Sequence, residues 1–287
     1  MIIFRTPADI HTFLLTKKSE KKMTGFVPTM GALHSGHIGL IKRARLENDL
    51  VICSIFVNPT QFNDPKDFKK YPATIEKDIV GLEKAGCDLL FLPSVDAIYP
   101  SGVKPVINYN LGYLESILEG KFRPGHFQGV CQVVHHLLEI VIPNMLYLGQ
   151  KDFQQCMVIK KMIELYNIDT DIVISATQRE TDGLAMSSRN TRLTKAEREI
   201  APAIYGGLRF IEDNIKSENI DLLKETVKAQ LTNKGFKVDY VEIANANNLD
   251  IFHEWDGKTT VVVLIAAYLN DVRLIDNLLL TTFKETE

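Results

Sequence analysis

Through roughly the first 175 positions, short apolar runs alternate with stretches whose apolar residues recur at helical spacing. Thr24–Thr29 reads as a buried strand, and Ile38, Ile41 and Ala44 predict a helix near 37–48. Leu50–Val57 is an almost unbroken apolar run, as expected of a strand covered on both faces. Ile75, Ile79, Leu82 and Ala85 mark another helix, closed by Gly86, before the strand-like Asp88–Leu92. Val130, Val133, Val134, Leu137, Leu138 and Val141 face inward from a helix over about 127–142, which Pro143-Asn144 stops. Met145–Leu148, a helix from Asp152 to Tyr166 and Asp171–Ser175 continue the alternation. Strands and helices in that order predict an α/β fold with a parallel sheet, right-handed crossovers and a ligand beyond the strands' carboxyl ends.

After Thr177 the pattern changes. Thr194-Lys-Ala-Glu197 has capping-box spacing and opens a helical region to Lys216, followed by another from Asp221 to Lys234. Strand-like Lys237–Ile243, Thr259–Leu269 and Val272–Leu279 come next. Helices grouped before strands predict a smaller α+β domain, so the expected division is 1–177 and 178–287. The polar segment Glu180–Asn190 between the two is read as a mobile stretch that closes over the ligand.

Composition narrows the class. A chain of 287 residues, 45% hydrophobic and 24% charged, suits a soluble globular enzyme large enough to fold without staples. A formal charge of −3 disfavours general binding to nucleic acid or to an anionic membrane. No stretch reaches the ~20 apolar residues of a membrane helix. Met1–Pro7 does not begin a signal-peptide pattern, so a cytoplasmic location is expected. Cys53, Cys87, Cys131 and Cys156 form no C-x-x-C pair and read as small buried hydrophobes. His135 and His136 are expected on an ordinary helix surface.

Candidate chemistry gathers where strands end. Phe26-Val-Pro-Thr-Met-Gly-Ala-Leu-His-Ser-Gly-His37 runs from a strand into a helix start, where backbone N–H groups and the positive end of the helix dipole favour an anion. His34 and His37 add donors there, although their spacing alone leaves helix capping and metal ligation open. Phe56-Val-Asn-Pro-Thr-Gln-Phe62 leaves the next strand with Asn58 and Gln61, amides able to read hydroxyl and carboxylate groups. Leu148-Gly-Gln-Lys-Asp-Phe-Gln-Gln155 offers Lys151 to phosphate and Asp152 to a ribose hydroxyl or a metal, with Gln155 one turn beyond Lys151. Met186-Ser-Ser-Arg189 supplies hydroxyls and a guanidinium suited to pyrophosphate as charge moves onto it.

Five segments together resemble one family, the pantothenate synthetases or pantoate–β-alanine ligases: VPTMGALHSGH (27–37), SIFVNPTQF (54–62), RPGHFQG (123–129), GQKDFQQ (149–155) and DGLAMSSRN (182–190). His34-Ser-Gly-His37 alone resembles only the wider H-x-G-H nucleotidyl-transfer superfamily. The resemblance covers essentially the whole chain. It implies a Rossmann-like ATP- and pantoate-binding domain with a C-terminal lid, and ATP-dependent condensation of (R)-pantoate with β-alanine through a pantoyl adenylate. Magnesium with the ATP, a homodimer and no nucleic-acid or membrane partner are also implied. Residue by residue, Met30, Gly31, Ala32, Leu33, His34, Ser35, Gly36 and His37 would lie along ATP, His37 at the position designated catalytic. Gly149, Gln150, Lys151 and Asp152 match a nucleotide-binding strand end, and Met186, Ser187, Ser188 and Arg189 the segment that follows pyrophosphate. Gln61 and Gln155 match pantoate-binding positions, Gln61 also near β-alanine. Gln178 stands beside the adenine, where many members carry an aliphatic residue, and Arg123 and His126 shape the pantoate side.

Overall fold

In the computed structural model, which describes residues 1–62, 71–103 and 107–280, six strands form one sheet. They are β1 (Ile2–Phe4), β2 (Thr24–Thr29), β3 (Leu50–Ile55), β4 (Leu89–Phe91), β5 (Met145–Gly149) and β6 (Asp171–Ser175), in the order β1-β4-β3-β2-β5-β6. Every neighbouring pair is parallel. The winding runs outward from β2 through β3 to β4, then returns to lay β5 on the other side of β2. The direction therefore reverses between β2 and β5, and the crevice beyond their carboxyl ends is where such sheets bind ligands. Thr29 and Gly149 are the last residues of those two strands.

Described residues of Met1–Gln150 and Gln155–Ala176 make up one unit, and Lys151–Gln154 with the chain from Thr177 onward the other. In the first, helices α1 (Pro7–Ser19), α2 (Ser35–Glu47), α3 (Ile75–Ala85), α4 (His126–Val141) and most of α5 (Phe153–Tyr166) accompany the sheet. β3 is buried along all but its first residue, which explains its unalternating sequence. β1 and α1 have no forecast in the hydrophobic pattern, because α1 buries only Ile10 and Leu14. A cap rather than a stripe starts that helix: Thr6 Oγ1 accepts from Asp9 N at 3.2 Å, and Pro7 takes the first turn.

α4 is buried around most of its circumference and ends where Ile142 turns left-handed, its N–H reaching Leu138 O at 2.8 Å. One expectation fails on this helix. His135 is buried, not on the surface, because Tyr109 and Tyr166 cover that face. The Tyr109 hydroxyl meets His135 Nδ1 at 3.1 Å, and the Tyr166 ring lies 4.6 Å away between centroids. Burial depresses the His135 pKa and favours the neutral ring. All four cysteines are free and buried, as expected.

The second unit pairs helices with an antiparallel sheet, β7 (Phe236–Asn245), β8 (Val261–Leu269) and β9 (Val272–Leu280). Its core gathers Leu208, Ile211, Val227, Leu231, Ile243, Val263 and Ile265. The Thr194 capping box forms in both directions, Glu197 N to Thr194 Oγ1 at 3.3 Å and Thr194 N to Glu197 Oε2 at 2.7 Å. The helical region it opens is not continuous: Lys195–Ile200 stops before Pro202, and α6 (Ala203–Asn214) follows. Proline has no N–H to carry the ladder through. α7 (Ile220–Asn233) completes the unit. No helix among the described residues is long and apolar enough to cross a membrane.

Candidate active site

The turn after β2 is held from a distance. Gly31 and Ala32 both take positive φ, 81° and 50°. Thr29 Oγ1 donates to Ser54 O at 2.7 Å and accepts from Gly31 N at 3.2 Å. The next two N–H groups point at one carboxylate: Ala32 N reaches Asp78 Oδ2 and Leu33 N reaches Asp78 Oδ1, each at 2.9 Å. Asp78 is 1% exposed and also accepts from Thr74 Oγ1 at 3.0 Å. It braces the turn without facing solvent. In the sequence it is one polar position in Ile75-Glu-Lys-Asp-Ile79, with nothing local to mark it.

α2 begins at Ser35 with His34 as its N-cap. Gly36 N donates to His34 Nδ1 at 3.1 Å, and His34 N donates to His37 Nδ1 at 3.4 Å, so two imidazoles perform the capping box that Ser/Thr and Glu usually form. The rings lie 4.1 Å apart between centroids. An Nδ1 that accepts puts the proton of a neutral ring on Nε2, so each histidine carries an Nε2–H suited to an acceptor oxygen. The first turn of α2 has no acidic residue to oppose the positive helix end.

Asn58 braces its own loop. It is fully buried. Its Oδ1 accepts from the Tyr99 hydroxyl at 3.0 Å and from Thr60 N at 3.4 Å, while Nδ2 donates to Thr60 Oγ1 at 2.8 Å and Gly129 O at 3.2 Å. Gln61 is half-buried, and its Nε2 approaches Met30 Sδ at 2.9 Å. Its main-chain oxygen receives His126 Nδ1 at 2.9 Å and Arg123 Nη2 at 3.5 Å. A carbonyl can only accept, so His126 carries its proton on Nδ1 there. Arg123 and His126 thus hold the Gln61 main chain. Gly129 lets α4 come this close: a Cβ there would sit 2.4 Å from Thr60 O. Within this unit, Gln61 meets Met30 just beyond the β2 end.

At the end of β5, Gly149 O accepts from Cys156 Sγ at 3.5 Å, and Gln150–Asp152 form a single 3-10 turn. Gln155 is half-buried on α5. Lys151 Nζ lies 3.9 Å from Asp152 Oδ1, and Asn277 Nδ2 donates to Lys151 O at 2.8 Å.

Residues 178–186 pair as a hairpin. Gln178 is exposed, and its carbonyl accepts from Met186 N at 2.9 Å; Arg179 bridges Ala185, and Glu180 N reaches Leu184 O at 2.8 Å. Arg198 beside Asp182, at 2.5 Å, holds that carboxyl below its usual range. Met186 and Ser187 leave the hairpin, Ser187 Oγ accepts from Arg189 N at 3.3 Å, and Ser188 is buried. Among the described residues no three histidine, cysteine or acidic side chains gather as a metal site.

A family profile described as pantoate-beta-alanine ligase matches residues 2–279. The pantothenate synthetase of Cytophaga hutchinsonii is 44% identical over 283 residues, covering 98% of this chain and 99% of the relative. That of Aquifex aeolicus is 44% identical over 286 residues, covering 96% and 98%. The crystal structure of the Thermus thermophilus pantothenate synthetase superposes with a TM-score of 0.89 at 37% identity, covering 97% of this chain and 99% of that one. The ligase of Francisella tularensis, crystallised with β-γ ATP and β-alanine, superposes at 0.80 with 41% identity and 97% coverage of both chains.

Proposed function

Because the chain belongs to the pantoate–β-alanine ligase family, we propose that it joins (R)-pantoate to β-alanine using ATP, with AMP and pyrophosphate as the other products. In the first step a pantoate carboxylate oxygen attacks the α-phosphorus, and the bond to the bridging oxygen of pyrophosphate breaks. In the second, the amine of β-alanine attacks the acyl carbon of the adenylate, AMP leaves, and the amine gives up a proton. A relative crystallised with β-γ ATP and β-alanine supports both as ligands of this chain.

The observation that carries the reading is the histidine pair at the start of α2, beyond the carboxyl end of β2 where the winding reverses. Two Nε2–H donors and a helix N-terminus suit phosphate oxygens that gain charge in the transition state. His37 serves as a hydrogen-bond donor to the α-phosphate; an ionised carboxylate has no proton for a base to remove. Met30, Gly31, Ala32, Leu33, Ser35 and Gly36 line the ATP with His34. Gly149, Gln150, Lys151 and Asp152 serve the nucleotide, Lys151 at phosphate and Asp152 at ribose or metal. Gln178 lies beside adenine, and Met186, Ser187, Ser188 and Arg189 follow pyrophosphate. Gln61 and Gln155 bind pantoate, and Gln61 also meets β-alanine.

Asp152, partly exposed beside Lys151, is the carboxylate that would meet a magnesium ion arriving with the triphosphate, and such an ion would supply neutralisation of phosphate charge. Residues 1–177 are read as the ATP- and pantoate-binding domain and 178–287 as a lid. Four buried free thiols suit a reducing cytoplasm. A homodimer is part of the reading and is tested by sedimentation velocity.

The deciding assay is pyrophosphate–ATP isotope exchange with pantoate present and β-alanine absent. Exchange that depends on pantoate is expected. Absence of both exchange and pantothenate formation would overturn the assignment.

A further inference from the structure

Lys151 lies two residues beyond the end of β5, and the segment Lys151–Gln154 groups with the second unit. A cluster on β9 accounts for this. Asn277, 2% exposed, donates from Nδ2 to Lys151 O at 2.8 Å. Its own main chain is fixed on both sides: the N–H reaches Asp276 Oδ1 at 2.8 Å, and the carbonyl accepts from Arg179 Nη2 at 3.1 Å. Arg179 grips Asp276 with two parallel bonds, Nη1 to Oδ2 at 2.5 Å and Nη2 to Oδ1 at 3.0 Å. Nη1 also donates to Gly183 O at 3.1 Å, and the guanidinium lies 4.2 Å from the centre of the Tyr205 ring. Arg179 is the root of the hairpin from which Met186–Arg189 emerge, and Asn190 Nδ2 closes back onto Ala185 O at 3.0 Å.

Burying Asp276 raises its pKa, so its ionised form depends on the guanidinium opposite. Such a pair is a costly way to hold two strands together. Here it serves geometry: one bidentate grip fixes the hairpin root and, through the adjacent peptide, the amide that holds Lys151.

We propose that Asn277, locked by the Arg179–Asp276 pair, is a positioning residue for ATP: it fixes the Lys151 main chain to the frame that presents Ser187–Arg189, so the cations assigned to phosphate share one base. This rests on the phosphate assignments made above for Lys151 and Arg189.

The test is Asn277→Leu, which keeps the shape and leaves Lys151 O without its donor, with Asn277→Ser as a milder second variant. Pantoate-dependent exchange should fall at least tenfold in kcat/KM for ATP. Attack of β-alanine on supplied pantoyl adenylate should stay within twofold of wild type. ATP binding by calorimetry should weaken in each of N277L and K151A, and the double variant should bind no worse than the weaker single. Equal loss in both half-reactions, multiplied effects in the double variant, or wild-type ATP kinetics in a folded variant would overturn the proposal. If N277L does not fold, N277S decides by the same readouts. Wild-type protein with no exchange and no pantothenate formation would instead overturn the underlying assignment.

Discussion

Replacing Asp78 by asparagine removes one acceptor from a buried group that serves two consecutive backbone N–H donors. The amide keeps a single oxygen, so either Ala32 N–H or Leu33 N–H would face another donor. A hydrogen bond to a charged group contributes about 1.5–3 kcal/mol, and the surviving one loses its charge assistance, which roughly halves it. The combined loss is about 2–4 kcal/mol. Against that, holding Ala32 at φ 50° costs about 1–2 kcal/mol, a strain that the carboxylate now offsets. The balance shifts toward other shapes of the turn before His34. Apparent ATP affinity falls by the fraction of molecules with the turn formed, and 2 kcal/mol corresponds to roughly 30-fold. D78N is therefore expected to raise KM for ATP severalfold, with roughly 30-fold as the ceiling for each 2 kcal/mol lost. KM for β-alanine, measured at saturating ATP, should change far less. Initial rates over an ATP series, with circular dichroism to establish folding, make the assay. A folded D78N enzyme with wild-type KM for ATP and wild-type kcat would refute the brace.

Gly129→Ala puts a methyl 2.4 Å from Thr60 O and 3.0 Å from Gln61 N, so the loop carrying Gln61 must shift. Overpacking of this kind costs about 1–3 kcal/mol, and KM for pantoate should rise about tenfold with KM for ATP nearly unchanged; unchanged pantoate kinetics would show that the contact relaxes freely. His37→Ala removes one Nε2–H donor and the cap of the His34 N–H, and is expected to lower kcat for adenylation at least 100-fold in a folded protein. Pantoate-dependent exchange at the wild-type rate would remove His37 from the chemistry. Burial pushes the phenols of Tyr99 and Tyr147 up to about 12, from the usual value of 10. A group with a raised folded pKa stabilises fully below its unfolded pKa and loses that contribution as pH rises through the folded one. Unfolding midpoints in urea should therefore hold up to pH 10 and fall steeply between pH 10 and 12; a flat profile there would contradict the buried phenols.

How far the sequence can be read depends on the range of each interaction. α2, α3 and α4 are legible because their inward residues repeat every three or four positions, and β3 because a strand covered on both faces needs no polar alternation. Positions at strand ends can be located for the same reason, since the sheet topology alone directs Met30–His37 and Gly149 to one edge. β1 and α1 escape because two inward residues and a cap leave no stripe. The burial of His135 escapes because the residues that cover it, Tyr109 and Tyr166, lie 26 and 31 positions away.

The same limit explains which site residues stay hidden. Side chains that would touch substrate cluster in short segments, where a ligand demands several donors within one turn of chain. Residues that hold those segments in place come from elsewhere: Asp78 acts on a turn 46 residues earlier, and Asn277 on a carbonyl 126 residues earlier. Each is a common polar residue in a regular element, so its neighbours in sequence say nothing of its partner. Asn58 blurs the distinction in the other direction. It sits inside a segment that looks made for binding, yet both ends of its amide are bonded to Tyr99, Thr60 and Gly129. Tyr99→Phe separates bracing from contact. Loss of that donor leaves Asn58 Oδ1 with only the 3.4 Å approach of Thr60 N, a loss of about 1–3 kcal/mol if the oxygen stays dry. A brace predicts lower thermal stability and a higher KM for pantoate together in Y99F. If stability falls while pantoate kinetics hold, the loop keeps its shape without Tyr99, and Asn58 is fixed by Thr60 and Gly129 alone.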